Sequence, residues 1–223
     1  LVIDTSSSML FPFNEKGKVN KLNFSVYSAA ALIHLMRRQR DAVGITLFSN
    51  HIELQTAIKL SDSHSKMLYT ELNRCLNRDK NHFNLTTDAS ATLHQVAENI
   101  HKRSLVIIFS DMFTTNFDQL FGAIEHLRYN KHEVVIFHVT DKQHESELNY
   151  QNRPIKFVDM ETGESIKLNP NEIRDTYHKS MSDFNETLRL KCGQYKIDLI
   201  EADVALPFSE VLIPFLVKRK SMY

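Results

Sequence analysis

Oxygen atoms crowd the start of the chain, where Leu1-Val2-Ile3 runs into Asp4-Thr5-Ser6-Ser7-Ser8. Side chains of an extended segment return to one face every second residue, so Asp4, Ser6 and Ser8 can converge on a single point. Two more groups of oxygens follow: Thr86, Thr87 and Asp88 ahead of a helical stretch, and Asp111 after the apolar run Leu105–Ser110. Carboxylates and hydroxyls without His or Cys make a hard donor set, which suits Mg²⁺ first, then Mn²⁺ or Ca²⁺, and suits zinc poorly. The chain's five glycines, Gly17, Gly44, Gly122, Gly163 and Gly193, all lie away from the end of this first run. A phosphate-cradling Gly-x-Gly-x-x-Gly turn is therefore absent there, as is a Walker-type loop.

Each of these residues also has a plainer use. Ser and Thr cap helices, and Thr86 and Thr87 are placed to cap the helix that begins near Asp88. Asp111 taken alone reads as a turn or cap residue. Eleven histidines are scattered without HxxxH company, and only Cys75 and Cys192 are present, too few for a disulfide framework or a Cys-based zinc site. His132 and His138 share strand parity and read as satisfied polar residues rather than ligands.

The elements that must position the oxygens follow from hydrophobic periodicity. Continuous apolar runs at 1–4, 43–49, 104–110, 132–139 and 196–201 suit parallel strands covered on both faces. Between them, apolar residues at helical spacing mark five helices. Leu22, Val26, Ala29, Ile33 and Met36 line one, and Leu93, Val96, Ala97 and Ile100 a second. Phe117, Leu120, Phe121, Ile124 and Leu127 line a third, Ile173, Tyr177, Met181, Phe184 and Leu188 a fourth, and Phe208, Val211, Leu212 and Phe215 the last. Residues 51–60 alternate after a short connection and should pair antiparallel with 43–49 at a sheet edge. Residues 155–168 read as a hairpin turning at Glu161-Thr162-Gly163-Glu164.

The sum is an α/β fold: a doubly wound, mostly parallel, Rossmann-like sheet with one antiparallel edge strand and helices on both faces. No Pro/Gly/Ser-rich linker divides the chain, so residues 1–223 are expected to form one domain with the hairpin inserted. In the common strand order 3-2-1-4-5-6 the first and fourth strands are neighbours, which brings Asp4 and Asp111 together at the switch point where such sheets bind ligands.

Composition narrows the partners. Lys plus Arg and Asp plus Glu number 27 each, so no net field draws the protein to nucleic acid or an anionic membrane. The basic end Lys218-Arg219-Lys220 reads as a solvated helix terminus. Apolar runs such as 29–36 fall short of the ~20 residues that span a bilayer. Reduced thiols and the lack of a spanning segment point to the cytoplasm. The chain begins inside a strand, so upstream sequence, and with it a membrane anchor, is left open.

The oxygen constellation resembles the metal-ion-dependent adhesion site of von Willebrand factor A-type domains. The resemblance covers essentially the whole chain. It places the Asp-x-Ser-x-Ser motif on Asp4, Ser6 and Ser8, the threonine on Thr87 with Thr86 as the neighbouring choice, and the later aspartate on Asp111. It is closest to a bacterial, uncharacterised branch, through residues 40–49, 102–111 and 202–220. The resemblance implies that the serines and threonine ligate a divalent ion and that the aspartates act directly or through water. It also implies a non-enzymatic domain whose cation is completed by an Asp or Glu carboxylate from a partner protein. Members of that branch are often encoded beside MoxR-type AAA+ ATPases, which makes such an ATPase a candidate partner.

A competing reading is a haloacid-dehalogenase-like phosphohydrolase with Asp4 as nucleophile. Those enzymes use an Asp-x-Asp arrangement, and Ser6 stands where the second acid belongs. A Ser-His-Asp hydrolase would need a nucleophile elbow, and the sequence has none.

Overall fold

The computed structural model describes residues 1–12, 19–77, 89–101, 103–113 and 117–220. Six strands form the main sheet in the order β3-β2-β1-β4-β5-β8: Ile52–Gln55, Thr46–Phe48, Val2–Asp4, Leu105–Ser110, Glu133–Thr140 and Asp198–Asp203. All neighbours run parallel except β2 and β3, which pair antiparallel with a register shift between Leu47 and Phe48. A bridge between Val43 and Lys59 extends that edge beyond the named strands. The doubly wound sheet with one reversed edge strand is thus the architecture expected from the apolar runs.

The continuous apolarity of the central strands has a direct cause. Ile3, Ile107, Phe109, Val135 and Phe137 face one core, while Val2, Val106, Ile108, Val134 and Ile136 face the other. The first core packs under α1 (Lys21–Gln39), α2 (Asp62–Leu76) and α6 (Phe208–Lys220). The second packs under α3 (Ala89–Asn99), α4 (Phe117–Tyr129) and α5 (Pro170–Gln194). Phe109 and Phe137 stack across the β4–β5 pair with ring centroids 4.8 Å apart, and Phe215 of α6 meets Phe137 edge-on.

Five helices fall where the periodicity places them. The sixth, α2, occupies a stretch for which periodicity assigned no element: its buried face is only Leu68, Leu72 and Cys75 together with His64 and Ser65, and the polar members blur the apolar stripe. Ser61 caps it by accepting from the His64 N–H at 3.2 Å. Phe208 departs from its assigned core face: it is 37% exposed, beside Tyr27 at 6.4 Å, and Val211, Leu212 and Phe215 carry the burial of α6.

Strands β6 (Ile155–Val158) and β7 (Ser165–Leu168) form the separate antiparallel hairpin. Its turn holds Gly163 at φ 76°, and Asp159 accepts from the Glu161 and Thr162 N–H groups. The outermost strand, β8, carries Asp198, Glu201 and Asp203; Lys218 pairs with the first and Arg189 with the second. Among the described residues no helix is long and apolar enough to cross a membrane.

Candidate metal centre at the crest of the sheet

Strand β1 lies between β2 and β4, with Val2 opposite Ile108 and Ile3 opposite Phe109. This register sets Asp4, the last residue of β1, beside Ser110, the last of β4, with Asp111 next in the chain. The neighbour relation of β1 and β4 in the sheet therefore brings the two carboxylates to one edge.

Asp4 is 1% exposed. Its Oδ1 accepts from the Ser6 N–H at 2.9 Å and its Oδ2 from the Ser110 hydroxyl at 2.7 Å. The Ser110 oxygen in turn accepts from the Met112 N–H at 3.0 Å. The chain does not continue extended through the serines: a 3₁₀ turn spans Ser7–Leu10. It is this turn, rather than strand alternation, that leaves the Ser6 and Ser8 hydroxyls 3.1 Å apart. Ser8 also favours the ionised form of the Asp111 carboxyl, so oxygens of Asp4, Ser6, Ser8 and Asp111 gather at one place. Thr5 points the other way, with its hydroxyl 2.7 Å from both the Phe48 carbonyl and Glu53 Oε1. Thr86, Thr87 and Asp88 lie outside the described residues.

Two residues that the motif reading passed over stand at the same place. Lys21, the first residue of α1, is fully buried. Its Nζ lies 2.8 Å from Asp111 Oδ2 and 2.5 Å from Glu145 Oε1, and 5.8 Å from the centroid of the Phe113 ring. Glu145 belongs to a π-helical turn, Lys142–Ser146, which Asp141 caps by accepting from the His144 N–H. The second Glu145 oxygen accepts from the Asp141 N–H at 2.9 Å. The polar segment 140–153, which reads as loop, thus reaches into the site. A lysine in the first turn of a helix ordinarily reads as surface charge, because lysine is almost never fully buried unless paired. Sequence offers one signal only: Lys21 sits next to Leu22 at the start of the helix that follows the oxygen cluster.

The electrostatics follow from burial and from charge. Burial, reinforced by the nearby Asp111 charge, pushes the Asp4 carboxyl up to about 7, against the pull of its hydrogen bonds from Ser6 and Ser110. Burial works the same way on Asp111, but the Lys21 ammonium outweighs it and holds that carboxyl below the usual range. For Lys21 burial favours the neutral amine, yet Asp111 and Glu145 together hold the ammonium above its ordinary value. Glu145 is raised, burial exceeding the help from Lys21. His138, kept low by burial, donates through Nε2 to the Asp111 carbonyl at 3.0 Å, so it is satisfied as a neutral ring. Met112, next to Asp111, holds φ at 57°, a left-handed conformation maintained by the packing around it.

The donors are of the type that takes a hard divalent ion: two carboxylates and two hydroxyls in one largely buried set. Among the described residues no group of three or more His, Cys, Asp and Glu can hold a metal by itself, so an ion here must draw on the serine hydroxyls. Burial first, and then the Asp111 charge, make an ionised Asp4 costly, and a cation would relieve that cost.

Comparison with known proteins shows a family and a fold. The family model described as "Protein of unknown function DUF58" matches residues 1–187. Among solved structures, the chain is similar to the conserved hypothetical protein BatB from Bacteroides thetaiotaomicron, at 15% identity and a TM-score of 0.54, covering 91% of this chain and 88% of that one. It is similar as well to an aerotolerance-related membrane protein from Bacteroides fragilis NCTC 9343, at 14% identity and a TM-score of 0.52, with coverage of 91% and 88%. At such identities the likeness is one of fold. No curated protein matches the sequence.

Proposed function

The chain belongs to the DUF58 family of proteins of unknown function, and within that family we propose that it is a non-enzymatic, metal-dependent protein-binding domain of the von Willebrand factor A type. Asp4, Ser6, Ser8 and Asp111, with Thr87, hold a divalent cation, Mg²⁺ first and Mn²⁺ or Ca²⁺ next. Neutral hydroxyls leave such an ion under-neutralised, and an Asp or Glu carboxylate from a partner protein completes it. A MoxR-type AAA+ ATPase is the candidate partner, on the strength of the sequence resemblance alone. The domain is read as working on the cytoplasmic side.

One observation supports the reading: the Asp4 and Asp111 carboxylates are buried together, with Asp4 accepting from the Ser6 N–H and the Ser6 and Ser8 hydroxyls 3.1 Å apart beside them, a set of hard oxygens. The phosphohydrolase alternative gains nothing from this geometry, since the residue two places after Asp4 is the hydroxyl-bearing Ser6.

The test is a thermal melt of the protein and of Asp4→Ala, each with Mg²⁺ and with EDTA. At a Mg²⁺ concentration about ten times Kd, the ion contributes about 1.4 kcal/mol and raises Tm by about 3–6 °C. Asp4→Ala is expected to fold and to lose that response. Equal shifts in both proteins refute the metal site, and turnover of a phosphoester that vanishes in Asp4→Ala restores the enzyme reading.

A further inference from the structure

Lys21 is a cation already in place. It enters from the first turn of α1, where the helix macrodipole disfavours positive charge, and it is fully buried. Only paired carboxylates make that placement tolerable, and it has two, from separate elements: Asp111 after β4 and Glu145 after β5. The contacts of Asp111 leave little room for another cation. Oδ2 faces the ammonium and Oδ1 accepts from the Phe113 N–H at 3.2 Å.

Resting on the metal-site reading above, we propose that Lys21 is a tethered competitor for the divalent ion: its ammonium holds Asp111 while the site lacks metal, and it must withdraw towards Glu145 for the ion to engage that carboxylate. Two charges of the same sign cannot share one buried carboxylate without strong repulsion, because the low dielectric leaves it unscreened. Glu145 gives the displaced ammonium a partner, so the exchange strands no buried charge. The arrangement also supplies the metal-free protein with its own counter-ion, which keeps the crest folded between binding events. Two carboxylates at 2.8 and 2.5 Å are what a buried ammonium requires.

Titration of the full chain with Mn²⁺, read by the electron paramagnetic resonance of the free ion, compares the native protein with Lys21→Gln and Lys21→Met. The expected result is binding about tenfold tighter in both variants. Should the variants not fold, the native protein decides alone: the protected ammonium resonance of Lys21 in a ¹⁵N-labelled sample is expected to shift at saturating Mg²⁺. Equal or weaker Mn²⁺ binding in the variants, or a Lys21 resonance unmoved by Mg²⁺, overturns the competition and leaves the metal site standing. Binding of Mn²⁺ by none of the three proteins overturns both.

Discussion

The Lys21 ammonium and the Asp111 carboxylate meet at 2.8 Å with 0% and 2% of their side chains exposed. Neither residue is near the other in sequence, and the pair joins the start of α1 to the end of β4. Charges this far from solvent are stable only as long as each keeps its partner.

Removing Asp111 should therefore be expensive. Breaking a buried pair from one side costs about 3–5 kcal/mol, and the remaining contact with Glu145 places Asp111→Ala towards the lower figure. Urea unfolding in EDTA measures it; a loss below about 1 kcal/mol would show that the pair is solvated in solution.

The Asp4 carboxyl gives the metal-free protein a characteristic pH response. Its value is about 7 in the folded chain and near 3.9 when unfolded. Between those values the native state binds the extra proton, so stability is greatest below the unfolded value and falls as pH rises towards 7. Glu145, also raised, acts in the same direction, and the lowered Asp111 opposes it. Urea midpoints in EDTA from pH 4 to 7.5 are expected to decline less steeply in Asp4→Asn than in the native protein. A slope unchanged by the substitution assigns the effect elsewhere.

Asn20 caps the helix that presents Lys21, its side chain accepting from the Asn23 N–H at 2.7 Å. Asn20→Ala is expected to lower stability by about 1 kcal/mol, while Asn20→Ser recovers most of it. Matching denaturant midpoints for the Ala and Ser variants would remove the cap from the account.

Cys192 is 1% exposed and its thiol is pushed up to about 12 by burial. Thiolate is the reactive species, so labelling by a disulfide reagent at pH 8 is expected to be slower than in denaturant by on the order of a hundredfold or more. Cys75, a buried residue of α2 with its Sγ 3.6 Å from the Glu71 carbonyl one turn back, should be slow to label for the same reason of burial. Prompt labelling of either cysteine in the native protein would show a local opening that the packing does not suggest.

Much of this was open to a reader of the sequence. Runs such as Val106–Phe109 and Val134–Phe137 are apolar at every position because alternate residues face different cores, and that pattern fixes both strand type and parallel order. The meeting of Asp4 with Asp111 follows from strand order. What stayed hidden depends on side chains that local pattern cannot place. Lys21 reads as solvent-facing until two distant carboxylates are known to surround it, and Glu145 reads as one more charge in a polar loop. The polar core residues His64 and Ser65 likewise obscure α2.

The acids along β8 bear on how copies of the molecule meet. An outer strand offers unpaired backbone groups to any similar strand, and fibre growth starts from such rims. A second copy laid against this one would meet Asp198 and Glu201, already engaged by Lys218 and Arg189, and the charged Asp203, so pairing would bring charged side chains and their ion pairs up against a like row. The rim thereby discourages end-to-end polymerisation of the sheet.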